Sequence, residues 1–326
     1  MIAAFYERFG EAREVLRVEE VPAPLPGAGE VRVRVHVSGA NPTDFKMRRG
    51  VARGGVFART IPHSDGAGII DRVGAGVPES RLGERVWLWN AQWRRPFGTA
   101  AQYVALPGAQ AVPLPENAGF EVGACLGIPA LTAWRAAFFD GAPRGETLLV
   151  HGGAGAVGHY AVQFAARSGA RVIATAGSPE KAEAASAAGA EAVIDHRRED
   201  LAAAIAALTG GAGVDRILEV NLGANAASYA ACLKPGGTAI VYGSDDWTAP
   251  LPMSAWLAHG IELKLFIIYN LSEPLRRRAL AELDDLLRRE ALQHRIGARF
   301  PLAEIALAHE AMETRAVSGN VVVDIP

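Results

Sequence analysis

The apolar run Leu148-Leu149-Val150-His151 ends in Gly152-Gly153-Ala154-Gly155-Ala156-Val157-Gly158, and a helical stretch over 160–167 follows at once. Within the turn, Gly153-Ala154-Gly155-Ala156-Val157-Gly158 fits G-x-G-x-x-G. Glycines at that spacing permit a tight turn, a close approach of backbone to a pyrophosphate, and close packing of helix on strand. The helix N-terminus adds N–H donors and positive potential. Alone, the pattern is a weak signal in a chain rich in alanine and glycine. Its context strengthens it. The turn opens an alternation of strands at 147–151, 171–175, 192–194, 215–220, 238–243 and 262–267 with helices such as 160–167, 181–188 and 201–208. The strands are near-continuous apolar runs, as parallel strands covered on both faces are. Strict alternation predicts an α/β body over 123–268, built on a six-stranded doubly wound parallel sheet that binds a nicotinamide dinucleotide.

The end of the second strand discriminates between dinucleotides. An acid there binds the 2′-hydroxyl of the adenosine ribose, and it repels a 2′-phosphate. Here the stretch reads Ala174-Thr175-Ala176-Gly177-Ser178-Pro179-Glu180-Lys181, with Ala176 or Gly177 at the expected acid position. Ser178 offers a hydroxyl and Lys181 a charge at the start of the next helix, where Pro179 places Glu180 inside the helix. His196 and Arg197 follow the third strand. Gly177, Ser178, Lys181, His196 and Arg197 are therefore the expected 2′-phosphate group, and NADPH the expected cofactor.

Residues 1–122 read differently. Val31-Arg32-Val33-Arg34-Val35-His36-Val37 alternates with period two, and short runs at 67–73, 85–89 and 102–106 follow between Pro and Gly. That pattern predicts a small antiparallel barrel or sandwich. A helix is expected over 275–291, with Leu275, Leu280, Leu283, Leu286 and Leu287 on its apolar side and Arg276-Arg277-Arg278 on a solvated face. A strand over 320–325 is expected to return to the N-terminal β-rich body. Gly236-Gly237 reads as a tight turn into the fifth parallel strand.

Composition excludes several classes. The chain of 326 residues has a formal net charge of -2, so the basic excess that phosphate backbones demand is missing and nucleic acid is not an expected partner. No uncharged apolar run reaches the ~18 residues needed to cross a bilayer, and the first residues lack the pattern of a signal peptide. Cys125 and Cys232 are too few for a disulfide framework or a four-thiolate zinc site, and the expected compartment is the cytoplasm.

The segments Asn41-Pro42-Thr43-Asp44, Asp65-Gly66-Ala67-Gly68, Leu126-Gly127-Ile128-Pro129-Ala130-Leu131-Thr132-Ala133, His151 to Gly158, Ala188-Gly189-Ala190 and Gly243-Ser244 together resemble the zeta-crystallin-like quinone oxidoreductases, within the medium-chain dehydrogenase/reductase superfamily. The resemblance spans most of the chain. It implies a Rossmann body and a GroES-like β-rich catalytic body, the latter made of 1–122 with 269–326. It also adds Thr132 and Gly243 to the glycine-turn residues as cofactor contacts. Zinc-dependent relatives carry Cys, His and Cys where this chain aligns Asn41, Ser64 and Ile128, so the resemblance implies a metal-free enzyme. His63, one residue from the second position, is expected to be a loop or core histidine. Cys125 misses the third position.

Without a metal Lewis acid, reduction of an activated acceptor is favoured over alcohol oxidation. A quinone is the expected acceptor; an enone reductase is the alternative, and a non-catalytic NADPH-binding protein another. Asn41, Thr43 and Lys46 are the candidates for holding the acceptor and stabilising the charge that develops on it, with Asn41 expected to donate an amide N–H. Lys46 stands where related quinone reductases often carry Tyr. Trp87, Trp89 and Trp93 are weaker candidates for an acceptor pocket, core packing being expected for at least two. The apolar stretch 261–268 would form the sheet edge, and edges of this kind are covered, which predicts a homodimer.

Overall fold

The computed structural model describes residues 1–51, 57–246 and 248–326. Two compact bodies divide the chain: Met1–Pro129 with Leu280–Pro326, and Ala130–Ala279.

The first body begins with the hairpin β1 (Ile2–Phe5) and β2 (Arg17–Glu20). Its main sheet takes β3 (Glu30–Ala40), β4 (Asp65–Val73), β5 (Arg85–Leu88), β6 (Tyr103–Pro107) and β7 (Ala111–Pro113). The alternation in β3 buries Val31, Val33 and Val35 against Ile70, Val86, Leu88, Val104 and Leu106. Arg34 is exposed as the period predicts, but Arg32 is buried. Its guanidinium bonds both oxygens of Asp71 and lies 4.8 Å over the Tyr103 ring, so the wet face is covered at this point.

The second body holds β8 (Thr147–Val150), β9 (Arg171–Ala176), β10 (Ala192–Asp195), β11 (Val214–Glu219), β12 (Leu233–Val241) and β13 (Glu262–Leu265), all parallel. Their order, β10-β9-β8-β11-β12-β13, is that of a Rossmann sheet. Chain direction across the sheet reverses between β8 and β11, and a ligand binds outside the carboxyl ends of the strands at such a switch. Leu149, Ile173, Ile194, Ile217 and Ala239 form the core beneath. The turn expected at Gly236-Gly237 is an irregularity inside β12, with Gly236 at φ +75°.

The long helix runs Glu273–Arg288, and Leu283, Leu286 and Leu287 are buried as its period requires. Arg276 departs from the expected solvated face. It is 6% exposed and donates to the Ile268 carbonyl at 3.0 Å, and burial lowers its pKa to about 10. It sits one turn before Ala279 and Leu280, so helical geometry turns it inward while Arg277 and Arg278 stay outside. The last strands, β14 (Ile296–Pro301) and β15 (Asn320–Asp324), complete the first body: β15 pairs antiparallel with β3 and parallel with β14. No helix among the described residues is long and apolar enough to cross a membrane.

Candidate functional site

In the second body, the glycine turn is tied to β9. The Gly152 N–H donates to Thr175 Oγ1 and the Gly153 N–H to the Thr175 carbonyl, each at 3.0 Å. The left-handed residue is Gly152, at φ +68°, one position before the motif. Gly153 instead serves packing: a Cβ there would lie 2.7 Å from that of Ala174. The other two glycines behave as their spacing implies. A Cβ on Gly155 would meet only the Gly152 carbonyl, at 3.2 Å, which leaves its outer side open. One on Gly158 would sit 2.1 Å from the Gly152 oxygen, so only glycine lets helix Ala156–Arg167 pack this close. Ala154 is buried, while Gly155, Ala156 and Val157 are half-exposed at the helix start, where the first N–H groups have no intrahelical acceptor. Such an arrangement has the shape and the N–H donors to hold an anionic group such as a pyrophosphate.

At the end of β9, a Cβ on Gly177 would lie 2.9 Å from Arg197 Nε and 3.0 Å from His196 Cε1. The chain thus brings His196 and Arg197 beside the residue where an acid would stand. Ser178 caps helix Pro179–Ala187, accepting from the Lys181 N–H at 3.3 Å, and its hydroxyl proton remains to donate outward. Glu180 lies in that helix and is exposed. The nearby Asp195 carboxylate accepts from the Arg197 N–H at 3.0 Å. These residues fit a 2′-phosphate.

Two residues not foreseen from sequence stand at the switch. His151 ends the β8 run, and the fully buried Glu219 ends β11. Glu219 accepts from Asn221 N at 2.5 Å, Asn225 Nδ2 at 3.0 Å and Tyr229 OH at 2.9 Å. Its Oε2 lies 3.5 Å from His151 Nε2, and burial lowers the His151 pKa against the pull of Glu219. An acid closing an apolar strand was the only sequence signal. Gly243 approaches this region so closely that a Cβ would lie 2.4 Å from the Val220 carbonyl. Thr132 is buried in helix Leu131–Ala137.

In the first body, Asn41 caps helix Pro42–Arg48, which carries Thr43 and Lys46 three residues apart and half-buried. The Asn41 N–H donates to Asp44 Oδ2 at 2.7 Å. Asp44 also accepts from the His63 N–H, but burial prevails and raises its pKa to about 7. The Asn41 side chain differs from the expected donor. Its Nδ2 donates to Asp65 Oδ2 at 2.8 Å and reaches toward the Gly39 carbonyl at 3.5 Å, so its N–H groups face the protein interior. Asp65 is fully buried, and its pKa is raised well above the carboxylate range by burial, against the hydrogen bonds from Ile128 N and Asn41.

His63 is also fully buried, at φ +75°. Its Nδ1 lies 2.8 Å from Ser38 Oγ, and its Nε2 lies 3.0 Å from Nε2 of His309. It is a core histidine with a partner that sequence reading missed. Of the three positions aligned with zinc ligands, Ser64 is buried, Asn41 turns an amide N–H inward and Ile128 turns a backbone N–H to Asp65. N–H donors are not metal ligands. Trp87 is core, while Trp89 and Trp93 are half-buried.

The chain is similar to several known proteins. The model of the zinc-binding dehydrogenase family matches residues 156–285, and that of the alcohol dehydrogenase GroES-like domain matches 27–116. The quinone oxidoreductase of Rattus norvegicus is 32% identical over 91% of this chain and 89% of its own length. A mycobacterial protein solved with NADPH superposes with a TM-score of 0.90 at 29% identity, over 99% of this chain and 100% of its own. An NAD-dependent alcohol dehydrogenase superposes equally well, at 0.90 and 28% identity, over all of both chains. With its parallel sheet, its β-rich first body and this identity over nearly its full length, the chain belongs to the zeta-crystallin-like quinone oxidoreductases of the medium-chain dehydrogenase/reductase superfamily.

Proposed function

We propose that the protein is a metal-free, NADPH-dependent reductase whose acceptor is a quinone. The observation that carries the cofactor assignment is the end of β9, where Gly177 stands beside Arg197 and His196 in place of an acid. The same feature argues against the NAD preference of the alcohol dehydrogenase that superposes equally well. The acceptor class rests on the rat relative, and the metal-free reading on the N–H donors turned inward at Asn41 and Ile128.

Cofactor binding is assigned to the body Ala130–Ala279 and acceptor chemistry to the body Met1–Pro129 with Leu280–Pro326. Gly153, Ala154, Gly155, Ala156, Val157 and Gly158 cradle the pyrophosphate. Gly177, Ser178, Lys181, His196 and Arg197 hold the 2′-phosphate, and Thr132 and Gly243 border the nicotinamide half. When bound, NADPH supplies the hydride. Thr43 and Lys46 supply the hydroxyl and the charge that steady the developing oxyanion. Asn41 holds the helix that carries both at its N-terminus, with its N–H groups engaged by Asp65 and Gly39.

The open edge of β13 and the exposed Leu257, Leu265 and Ile267 support a homodimer formed through that edge. The buried thiols Cys125 and Cys232 suit a reducing cytoplasm.

A turnover screen tests the proposal. Quinones, enones and alcohols are offered with NADPH/NADP and NADH/NAD in parallel, before and after exhaustive chelation. Quinone-dependent NADPH oxidation that survives chelation is expected. Faster enone turnover would replace the acceptor, and activity lost on chelation and restored by zinc would sink the metal-free mechanism.

A further inference from the structure

Asp65 is the first residue of β4 and has no exposed surface. One carboxyl oxygen, Oδ2, accepts two hydrogen bonds of 2.8 Å, from Asn41 Nδ2 and from the backbone N–H of Ile128. The other, Oδ1, has no hydrogen-bond partner among the described residues. Two glycines make room for this side chain. A Cβ on Gly127 would lie 2.1 Å from Oδ1, and one on Gly39 would lie 3.0 Å from the Asp65 Cβ. The carboxyl therefore joins three separate stretches of chain: β3 where it runs into the Asn41 cap, the start of β4, and the segment Leu126–Ala130.

A buried carboxyl with an unmatched oxygen is costly, so a chain retains one only where it does something an apolar residue cannot. Here it sets the rotamer of Asn41. With Nδ2 held by Oδ2, the amide plane is fixed. Because Asn41 caps the helix bearing Thr43 and Lys46, the same contact anchors that helix at its first residue.

We propose that Asp65 is a positioning residue for acceptor reduction, acting through the Asn41 amide: it organises, by hydrogen bonds alone, the residues aligned with the first and third zinc-ligand positions. This rests on the assignment of the helix that Asn41 caps, with Thr43 and Lys46, to the acceptor site.

The test is a double-mutant cycle of Asn41→Ala and Asp65→Ala, read as kcat/KM for a quinone at saturating NADPH. NADPH affinity is read separately by fluorescence. Asp65→Ala alone should lower acceptor kcat/KM about tenfold, the scale of one buried hydrogen bond, and leave NADPH affinity unchanged. In the Asn41→Ala background the same change should have almost no further effect. An equal loss in both backgrounds would overturn the proposal. If Asn41→Ala itself leaves kcat/KM unchanged, that assignment has failed, and this inference with it. Should Asp65→Ala not fold, Asn41→Asp sets a second carboxyl against Oδ2. Two carboxyls sharing a site cannot both ionise, so an additional pH limb in acceptor kcat/KM is expected, and a wild-type profile overturns the proposal.

Discussion

Replacing Arg197 by alanine should weaken NADPH binding and leave NADH binding alone. The guanidinium Nε lies 2.9 Å from where a Gly177 Cβ would be, so a phosphate held outside Gly177 falls within its reach. A hydrogen bond to a charged group is worth about 1.5–3 kcal/mol. Arg197 is exposed, and solvent screening trims this to about 1–2 kcal/mol, or about 5–30-fold in Kd. The loss should shrink in high salt, since the screening length falls from about 10 Å at 0.1 M to about 3 Å at 1 M. Fluorescence titration with both nucleotides at two salt concentrations reads all of this. Lys181 stands at the same phosphate in the proposed site, so the decisive protein is the double variant with Lys181→Ala. A ratio of NADPH to NADH affinity unchanged in the double variant would refute the reasoning.

Gly158→Ala should abolish binding of both nucleotides and lower stability by about 1–3 kcal/mol, because its Cβ would sit 2.1 Å from the Gly152 oxygen; calorimetry and titration together check it. The buried histidines predict a pH effect. Burial lowers the His63 pKa to about 3, so between pH 6.5 and 3 the unfolded chain binds a proton that the folded one refuses, and stability falls as pH falls. Asp44, raised to about 7, has the opposite slope between pH 7 and 3.8, since there the folded chain holds the extra proton. His63→Asn, whose side chain tolerates the positive φ, should remove the first slope and keep the second. Relative to wild type it should gain about 1.4 kcal/mol per unit of acidification between pH 6 and 4 in urea unfolding, whatever its offset at pH 7. A constant difference across that range would count against it. Finally, Leu265→Arg with Ile267→Arg should give a monomeric mass in light scattering with NADPH affinity retained.

The parallel sheet was legible because each strand carries its evidence locally, in runs such as Leu148–Val150 that need no distant residue to be recognised. The glycine motif was legible for the same reason, although the left-handed turn fell on Gly152 rather than Gly153. What escaped was set by contacts between distant residues. Asp65 is a carboxyl bound by a residue 63 positions away, and His63 meets a histidine 246 positions away; nothing in their neighbourhoods announces either. Arg276 was misread because charge outweighed helical period. The Asn41 amide was found in place, but its direction depended on a partner in another strand.

The pairing of β15 with β3 has a consequence for biosynthesis. Residues 130–279 form a body whose strands are contiguous in sequence, and it can finish folding as soon as it has been made. The sheet begun by β3 cannot. One of the neighbours of β3, β15, is made about 280 residues later, and at about 5–20 residues per second that length takes roughly 14–56 s to translate. For that time the edge of β3 is unmatched while the nascent chain is still tethered to the ribosome. The GroES-like body is therefore where a folding defect in this protein should first appear.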